Sequence, residues 1–253
     1  MIYFVGAGSG APDLITVRGA RLLKQADVII YAGSLVNPAL LTFAKEDCTL
    51  YNSAKMTLEE VLSVMREAEA AGLETTVRLH TGDPCLYGAV QEQMDALADM
   101  GLAYAYVPGV SSFCGAAAAL RAEYTLPGVS QSVIITRLAG RTPVPEQENI
   151  RSLAAHGCTM VIFLSAGLTE ALQSELLAGG LAADTPAAIV YKATWPDEKT
   201  VRCTVGTLHQ AARKEGIQKT ALILVGRFLG GEYARSRLYD PTFSTGWRKG
   251  NQR

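Results

Sequence analysis

The stretch from Arg78 to Ala89, RLHTGDPCLYGA, narrows what this chain can fold into more than any other. Thr76–His80 reads as a strand, Thr81-Gly82-Asp83-Pro84 as a sharp turn, and a helix follows from near Gly88, carrying Gln91, Gln93 and Met94. Gly82 lets backbone approach a ligand because no Cβ stands in the way. Pro84 fixes its own φ and drives Asp83 into an extended conformation. Asp83 is thereby held at the carboxyl end of a parallel strand, where open α/β sheets bind ligands. A strand-to-helix connection capped by an aspartate accounts for the same spacing and stands beside that reading.

The rest of the first half repeats the arrangement. Ile2–Val5 is too short and apolar for a helix and reads as a buried parallel strand. GAGSGAPDLIT follows it, Gly6 to Thr16, and then an amphipathic helix over Val17–Gln25. Gly6-x-Gly8-x-x-Ala11 loosely matches a dinucleotide fingerprint. The loop is too long for one, and the next strand, Val28–Tyr31, ends in Ala32-Gly33-Ser34 where a ribose-binding acid is required. Pro38 suits a first helical turn. Thr57 and Glu60 form a capping box for a helix whose stripe is Leu58, Val61, Leu62 and Met65, closed by Gly72. Tyr104–Val107 is a strand leading through Pro108-Gly109-Val110-Ser111-Ser112 into an alanine-rich helix. Four strand ends thus carry loops of glycine, small and hydroxyl residues. In a parallel sheet those ends share one edge, and four such loops on one edge make a site.

Glu123–Gln131 breaks the pattern and reads as a linker. The expected organisation is an N-terminal α/β domain over 1–122, a second over 123–230, and a polar tail over 231–253. In the second domain, Val133–Arg137, Met160–Leu164, Ala188–Tyr191 and Ala221–Val225 read as strands. Lys199–Thr204 is placed to pair antiparallel through the tight turn before it. Leu138–Glu146 is a polar loop; Arg137 and Arg141 are placed to meet an anion, and a solvated loop accounts for them equally.

Composition decides what to exclude. With 253 residues, 49% hydrophobic and 19% charged, the chain has ample material for one or two cores. A net charge of −1 gives no bulk attraction to nucleic acid or anionic membrane. No apolar run approaches the ~20 residues that span a bilayer. MIYFVGAGSG reads as a first strand rather than a secretion signal, so the expected location is the cytoplasm. Five cysteines, widely spaced and odd in number, give neither a metal set nor a disulfide framework, and read as buried small hydrophobes. No metal site is expected. His80, His156 and His209 sit on separate elements, and only His80 adjoins the central loop. There is no nucleophile elbow and no metalloprotease motif. What remains is an edge that binds and positions, which is what transfer between two bound molecules needs.

These motifs resemble the tetrapyrrole methylase family, the S-adenosylmethionine-dependent enzymes of sirohaem and corrin synthesis, from Ile2 to about Phe228. GAGSGAPDLIT, GDPCLYG and VPGVSS resemble the family's three loops. YAGSLVNP, GRTPVPE and YKATWPDEK resemble one branch, the precorrin-4 C11-methyltransferases, and within it those acting on cobalt-precorrin-4. The resemblance implies two α/β domains, each with a mostly parallel central sheet, a ligand trough between them, and a homodimer. Carried over by position, it implies S-adenosylmethionine contacts at Ser9, Thr81, Gly82, Asp83, Leu86, Ser111 and Ser112, and at Ser165 or Ala166, Ala193 and Ala221. Gly8, Gly10, Gly33 and Ser34 are implied to face the macrocycle. Relatives that methylate uroporphyrinogen have an aspartate, proposed as a base, where this chain has Ala32. That base is not carried over, and no catalytic residue is named. Two alternatives stay open: methylation of another ring position, and a non-catalytic protein that binds tetrapyrrole or S-adenosylmethionine.

Overall fold

The computed structural model describes residues 1–251. The elements in chain order are β1 (Ile2–Gly6), α1 (Val17–Gln25), β2 (Val28–Tyr31), β3 (Thr49–Asn52), α2 (Leu58–Ala70), β4 (Thr76–His80), α3 (Gln91–Asp99), β5 (Tyr104–Val107) and α4 (Ser112–Leu120). They continue with β6 (Val133–Arg137), α5 (Ile150–Ala154), β7 (Thr159–Phe163), α6 (Thr169–Ala178), β8 (Pro186–Tyr191), β9 (Lys199–Thr204), α7 (Leu208–Lys214) and β10 (Ala221–Val225). Two compact units emerge: Met1–Ala119 with the turn Lys192–Lys199, and Leu120–Tyr191 with the chain from Thr200 onward.

In the first unit the sheet order is β3-β2-β4-β1-β5, and every neighbouring pair is parallel. Local chemistry sets the helices. The Thr16 hydroxyl accepts from the Gly19 N–H and starts α1, and the Thr57–Glu60 capping box starts α2 as its spacing implied. Period-two alternation then splits the strands between two cores. Val5, Ile29, Val77 and Leu79 pack with Leu22 and Leu23 of α1. Ile2, Phe4, Val28 and Ile30 pack with Val61 and Met65 of α2 and Leu97 of α3. Adjacent strands β1 and β4 therefore send their chains to opposite faces of the sheet. Such a divergence opens a crevice outside the carboxyl ends of the strands, and the loops after β1 and β4 border it.

In the second unit the order is β6-β7-β10-β8-β9. Strands β6 and β7 are parallel, but β10 runs antiparallel to both β7 and β8. A mostly parallel sheet was the expectation here, and the sheet is mixed. The reason is the short turn after β8. A helical crossover returns the chain to its starting edge, whereas a hairpin reverses it, so the strand that follows α7 runs the other way. One core, with Met160, Ile162, Ile189 and Ile223, packs against Leu172 and Leu176 of α6 and Leu208 of α7.

At the carboxyl edge of the first sheet three strand ends touch backbone to backbone. A Cβ built on Gly6 would lie 2.6 Å from the Gly109 Cα, and one on Gly109 would lie 2.2 Å from the Gly82 carbonyl oxygen. Neither neighbour is a side chain that can swing away. Gly6→Ala is expected to cost roughly 1–3 kcal/mol, the usual cost of overpacking, read from urea denaturation. Gly246→Ala, which meets nothing within 4 Å, is the control and should change little.

Candidate functional site

The loops after β1, β4 and β5 form one constellation. Gly8 and Gly82 exchange two backbone hydrogen bonds, Gly8 N–H to the Gly82 carbonyl at 3.2 Å and Gly82 N–H to the Gly8 carbonyl at 2.9 Å. Gly82 has φ +59°, a conformation glycine adopts without penalty. A Cβ there would lie 3.4 Å from the Ser112 nitrogen and 3.5 Å from the Ser111 Cα, so Gly82 sits against the start of α4. Ser111 is buried and Ser112 half-buried.

Asp83 fastens this edge. Its Oδ1 accepts from the Tyr106 hydroxyl at 2.5 Å and from the Cys85 N–H at 2.9 Å. Its Oδ2 accepts from the Gly109 N–H at 2.8 Å. Burial pushes the Asp83 carboxyl up, but the hydrogen bonds from Tyr106, Cys85 and Gly109 outweigh it and the net shift is downward. The carboxylate thus ties the β4 loop to the end of β5. Tyr106 and Gly109 are the partners that sequence reasoning missed; an aspartate three residues past a strand reveals no partner two strands away.

The glycine loop after β1 is closed from the other side by the turn Lys192–Lys199. Ser9 is buried, and its hydroxyl shares a 3.1 Å hydrogen bond with that of Thr194, which also accepts from the Ala11 N–H at 3.0 Å. Thr194 has φ +67°, strained for a β-branched residue. Its N–H donates to Glu198 at 2.6 Å, which helps hold it there. A Cβ on Gly10 would lie 2.2 Å from the Trp195 ring. Asn37 donates from its side-chain amide to the Gly10 carbonyl at 2.9 Å, joining the loop after β2. Gly33 leaves its space to Asn52, and a Cβ on Gly8 would lie 2.8 Å from the Leu14 carbonyl oxygen. So Gly8, Gly10 and Gly33 are required by the protein's own packing, not only by room for a ligand. Ser34 is exposed, Thr81 and Leu86 are half-buried, and Ala193 is buried. The Ala32 methyl packs against the core on the α1 side of the sheet.

The second unit has its own edge, where β6, β7 and β8 end and β10 begins. Ala221 pairs with Tyr191 there. Ser165 is fully buried; its hydroxyl donates to the Phe163 carbonyl at 2.7 Å and accepts from the Leu138 N–H at 2.9 Å. Ala166 belongs to the core. Beside them Leu164, at φ +52°, is 65% exposed, an apolar side chain presented at the edge that the sequence did not single out. Arg137 donates to the Thr142 and Pro143 carbonyls at 3.2 and 2.6 Å, so its guanidinium braces the following loop.

A family model described as Tetrapyrrole (Corrin/Porphyrin) Methylases matches residues 1–209. The chain belongs to the tetrapyrrole methylase family. The cobalt-precorrin-4 C(11)-methyltransferase of Methanocaldococcus jannaschii is 50% identical over 253 residues, covering 100% of this chain and 97% of that one. The one from Priestia megaterium is 49% identical and covers 98% of each. Among solved structures, a cobalt precorrin-4 methyltransferase, CbiF, matches with a TM-score of 0.88 at 50% identity, over 90% of this chain and 95% of that one. A uroporphyrin-III C-methyltransferase from Thermus thermophilus, complexed with S-adenyl homocysteine, matches at 0.75 and 26% identity, over 90% and 92%.

In this tetrapyrrole methylase the titratable groups around the central loop are silent at neutral pH. His80 is buried against Phe4, ring centroids 6.3 Å apart, and burial and then the Arg78 charge push its pKa down to about 3. The hydrogen bond with Asp83 holds the Cys85 thiol above its ordinary range, and burial followed by that same carboxylate does so for the Tyr106 hydroxyl. His80 is therefore a core residue and not the base that its neighbouring position allowed. The cysteines differ from expectation too: Cys85 and Cys114 are exposed, and Cys48, Cys158 and Cys203 are half-buried.

Two outcomes follow from this geometry. Asp83→Asn replaces one acceptor oxygen with a donor facing either Tyr106 and Cys85 or Gly109, and should loosen the β4 loop from β5 at a cost of about 1–3 kcal/mol, read as a lower urea midpoint. His80 gives a pH signature. Unfolded, it gains a proton below its ordinary 6.5, while folded it resists down to about 3. In that window the unfolded chain holds more protons, so this contribution is complete above about pH 6.5 and lost as the pH falls. His80→Phe should flatten the decline in unfolding free energy between about pH 6.5 and 4; an unchanged slope would place the linkage elsewhere.

Proposed function

We propose that this chain transfers a methyl group from S-adenosylmethionine to C11 of cobalt-precorrin-4 or precorrin-4, giving the corresponding precorrin-5 in corrin ring synthesis. The full-length relatives at about half identity support the reaction. One structural observation carries the chemistry: the edge is built to position, and its nearby acids and bases are occupied or neutral.

The residues present fit the cofactor. The loops GAGSGAPDLIT, TGDPCLYG and PGVSS contain no lysine or arginine to repel a sulfonium. They offer backbone groups, the hydroxyls of Thr81, Ser111 and Ser112, and contact along Leu86. Ser9, Thr81, Gly82, Asp83, Leu86, Ser111, Ser112 and Ala193 are the proposed contacts from the first unit, and Ala166 and Ala221 from the second. Of the pair Ser165 or Ala166, Ser165 is fully buried with its hydroxyl bonds made inside the protein, which favours Ala166. Asp83 acts by holding the loop, since both its oxygens already accept protein hydrogen bonds. Gly8, Gly10, Gly33 and Ser34 are proposed to face the macrocycle. S-adenosylmethionine supplies an electrophilic methyl on a sulfonium, whose charge disperses as the methyl leaves. The protein's part is to fix donor and acceptor in line and exclude water, which supplies much of the rate without a protein nucleophile. Ala32 provides no acid, so the acceptor is an electron-rich ring carbon that needs none. The family resemblance supports a cytoplasmic homodimer as the working form.

The test is incubation with S-adenosylmethionine and precorrin-4, with and without cobalt, followed by mass spectrometry and NMR of the product. A methyl at C11 is the expected outcome. A methyl elsewhere sinks the C11 assignment, and tight binding without product favours a carrier. The maximal rate should be nearly flat between about pH 6.5 and 8.5, because a base titrating there would give a sloping limb.

A further inference from the structure

Arg78 is a charged residue in the middle of a sheet. It is 6% exposed, lies on the central strand β4, and among the described residues pairs with no carboxylate. Burial lowers its pKa to about 10, so it stays a cation at neutral pH. A buried cation is costly unless its donors are placed, and this one has two defined partners. One guanidinium nitrogen donates to the Ile30 carbonyl on β2 at 3.2 Å, and Nε donates to Gln93 Oε1 at 3.1 Å. Gln93 is itself 5% exposed. Because its oxygen faces Arg78, its amide nitrogen must face away, and it donates to the Ala89 carbonyl at 2.8 Å.

Ala89 is where the central loop ends, and the loop is wound tightly there. Ala89 and Tyr87 have φ of +48° and +56°, in the left-handed region that residues with a Cβ avoid. A Cβ on Gly88 would lie 2.2 Å from the Pro84 carbonyl oxygen. Such conformations persist only where the surroundings over-determine them. Asp83 fixes the front of the loop; the Arg78–Gln93 pair fixes the back.

We propose that Arg78 and Gln93 are positioning residues for the methyl transfer: the buried cation orients the Gln93 amide, and the amide holds the Thr81–Ala89 loop in its cofactor-binding conformation. This rests on the assignment of that loop to S-adenosylmethionine. It predicts that loop order and overall stability separate. Gln93→Glu still accepts from Arg78, now as an ion pair, but has no proton to give the Ala89 carbonyl.

The experiment compares wild type, Gln93→Glu and Arg78→Lys. Lysine keeps the charge but not the planar fork that reaches Ile30 and Gln93 together. Melting temperature, amide hydrogen exchange and S-adenosylhomocysteine affinity by calorimetry are measured for each. Gln93→Glu should stay folded and melt within a few degrees of wild type, the ion pair to Arg78 offsetting much of the cost of an Ala89 carbonyl left without its donor. It should yet exchange faster at Leu86–Ala89 and bind S-adenosylhomocysteine about tenfold more weakly. The KM for S-adenosylmethionine should rise while kcat changes little, and Arg78→Lys should share the weaker binding. Wild-type affinity in a folded Gln93→Glu overturns the proposal, as does loss of its fold. If S-adenosylhomocysteine binds wild type without protecting the Thr81–Ala89 amides, the loop assignment itself has failed. If it protects them and Gln93→Glu binds normally, only the positioning role has.

Discussion

The close approach of Gly6, Gly82 and Gly109 is the constraint from which the first unit's edge follows. Three parallel strands end side by side, and their backbones meet at distances that leave no space for a Cβ. Parallel strands normally leave their carboxyl ends as separate loops, each free to move. Here the Gly8–Gly82 hydrogen bonds extend pairing beyond the sheet, and Asp83 clamps the third loop to the second. A ligand resting on that edge meets backbone whose entropy was already lost on folding, which is the structural content of preorganisation.

The electrostatics point the same way. An aspartate, a histidine, a cysteine and a tyrosine lie in or beside the central loop, a set that in another arrangement would supply an acid, a base or a nucleophile. Hydrogen bonding lowers Asp83 despite its burial, burial neutralises His80, and Cys85 and Tyr106 stay protonated against the carboxylate. The groups are spent on geometry. Methyl transfer from a sulfonium to an electron-rich carbon asks for that arrangement, because its barrier lies in alignment and desolvation more than in proton movement.

The turn Lys192–Lys199 shows how one short connection serves two ends. As a hairpin it reverses the chain and leaves β10 antiparallel in the second sheet. As a surface it packs Thr194 and Trp195 on the glycine loop, so that Gly10 is needed to make room for the indole. The strain at Thr194 is held by Glu198 and by the serine and backbone amide that its hydroxyl serves. Backbone strain of this kind collects where a loop must keep a shape that sequence preference would not choose.

The sequence by itself determined most elements of the first unit and the loops that share its edge. Val17–Gln25, Val28–Tyr31, Thr76–His80 and Tyr104–Val107 were legible because hydrophobic period, caps and glycine stops are local signals, and each appears with the bounds its pattern implied. That four small-residue loops share an edge followed from parallel pairing alone. Only tertiary structure decided what each loop residue does. Asp83 stands at the strand end where the sequence put it and also clamps the β4 loop to β5, His80 looked available and is core, and the glycines look open but abut Leu14, Asn52 and Trp195. Arg78 and Gln93 read as an ordinary strand arginine and helix glutamine, and they meet only because β4 and α3 pack. A residue's type and spacing fix its local conformation; its partners lie across the sheet, at sequence separations that no local pattern encodes.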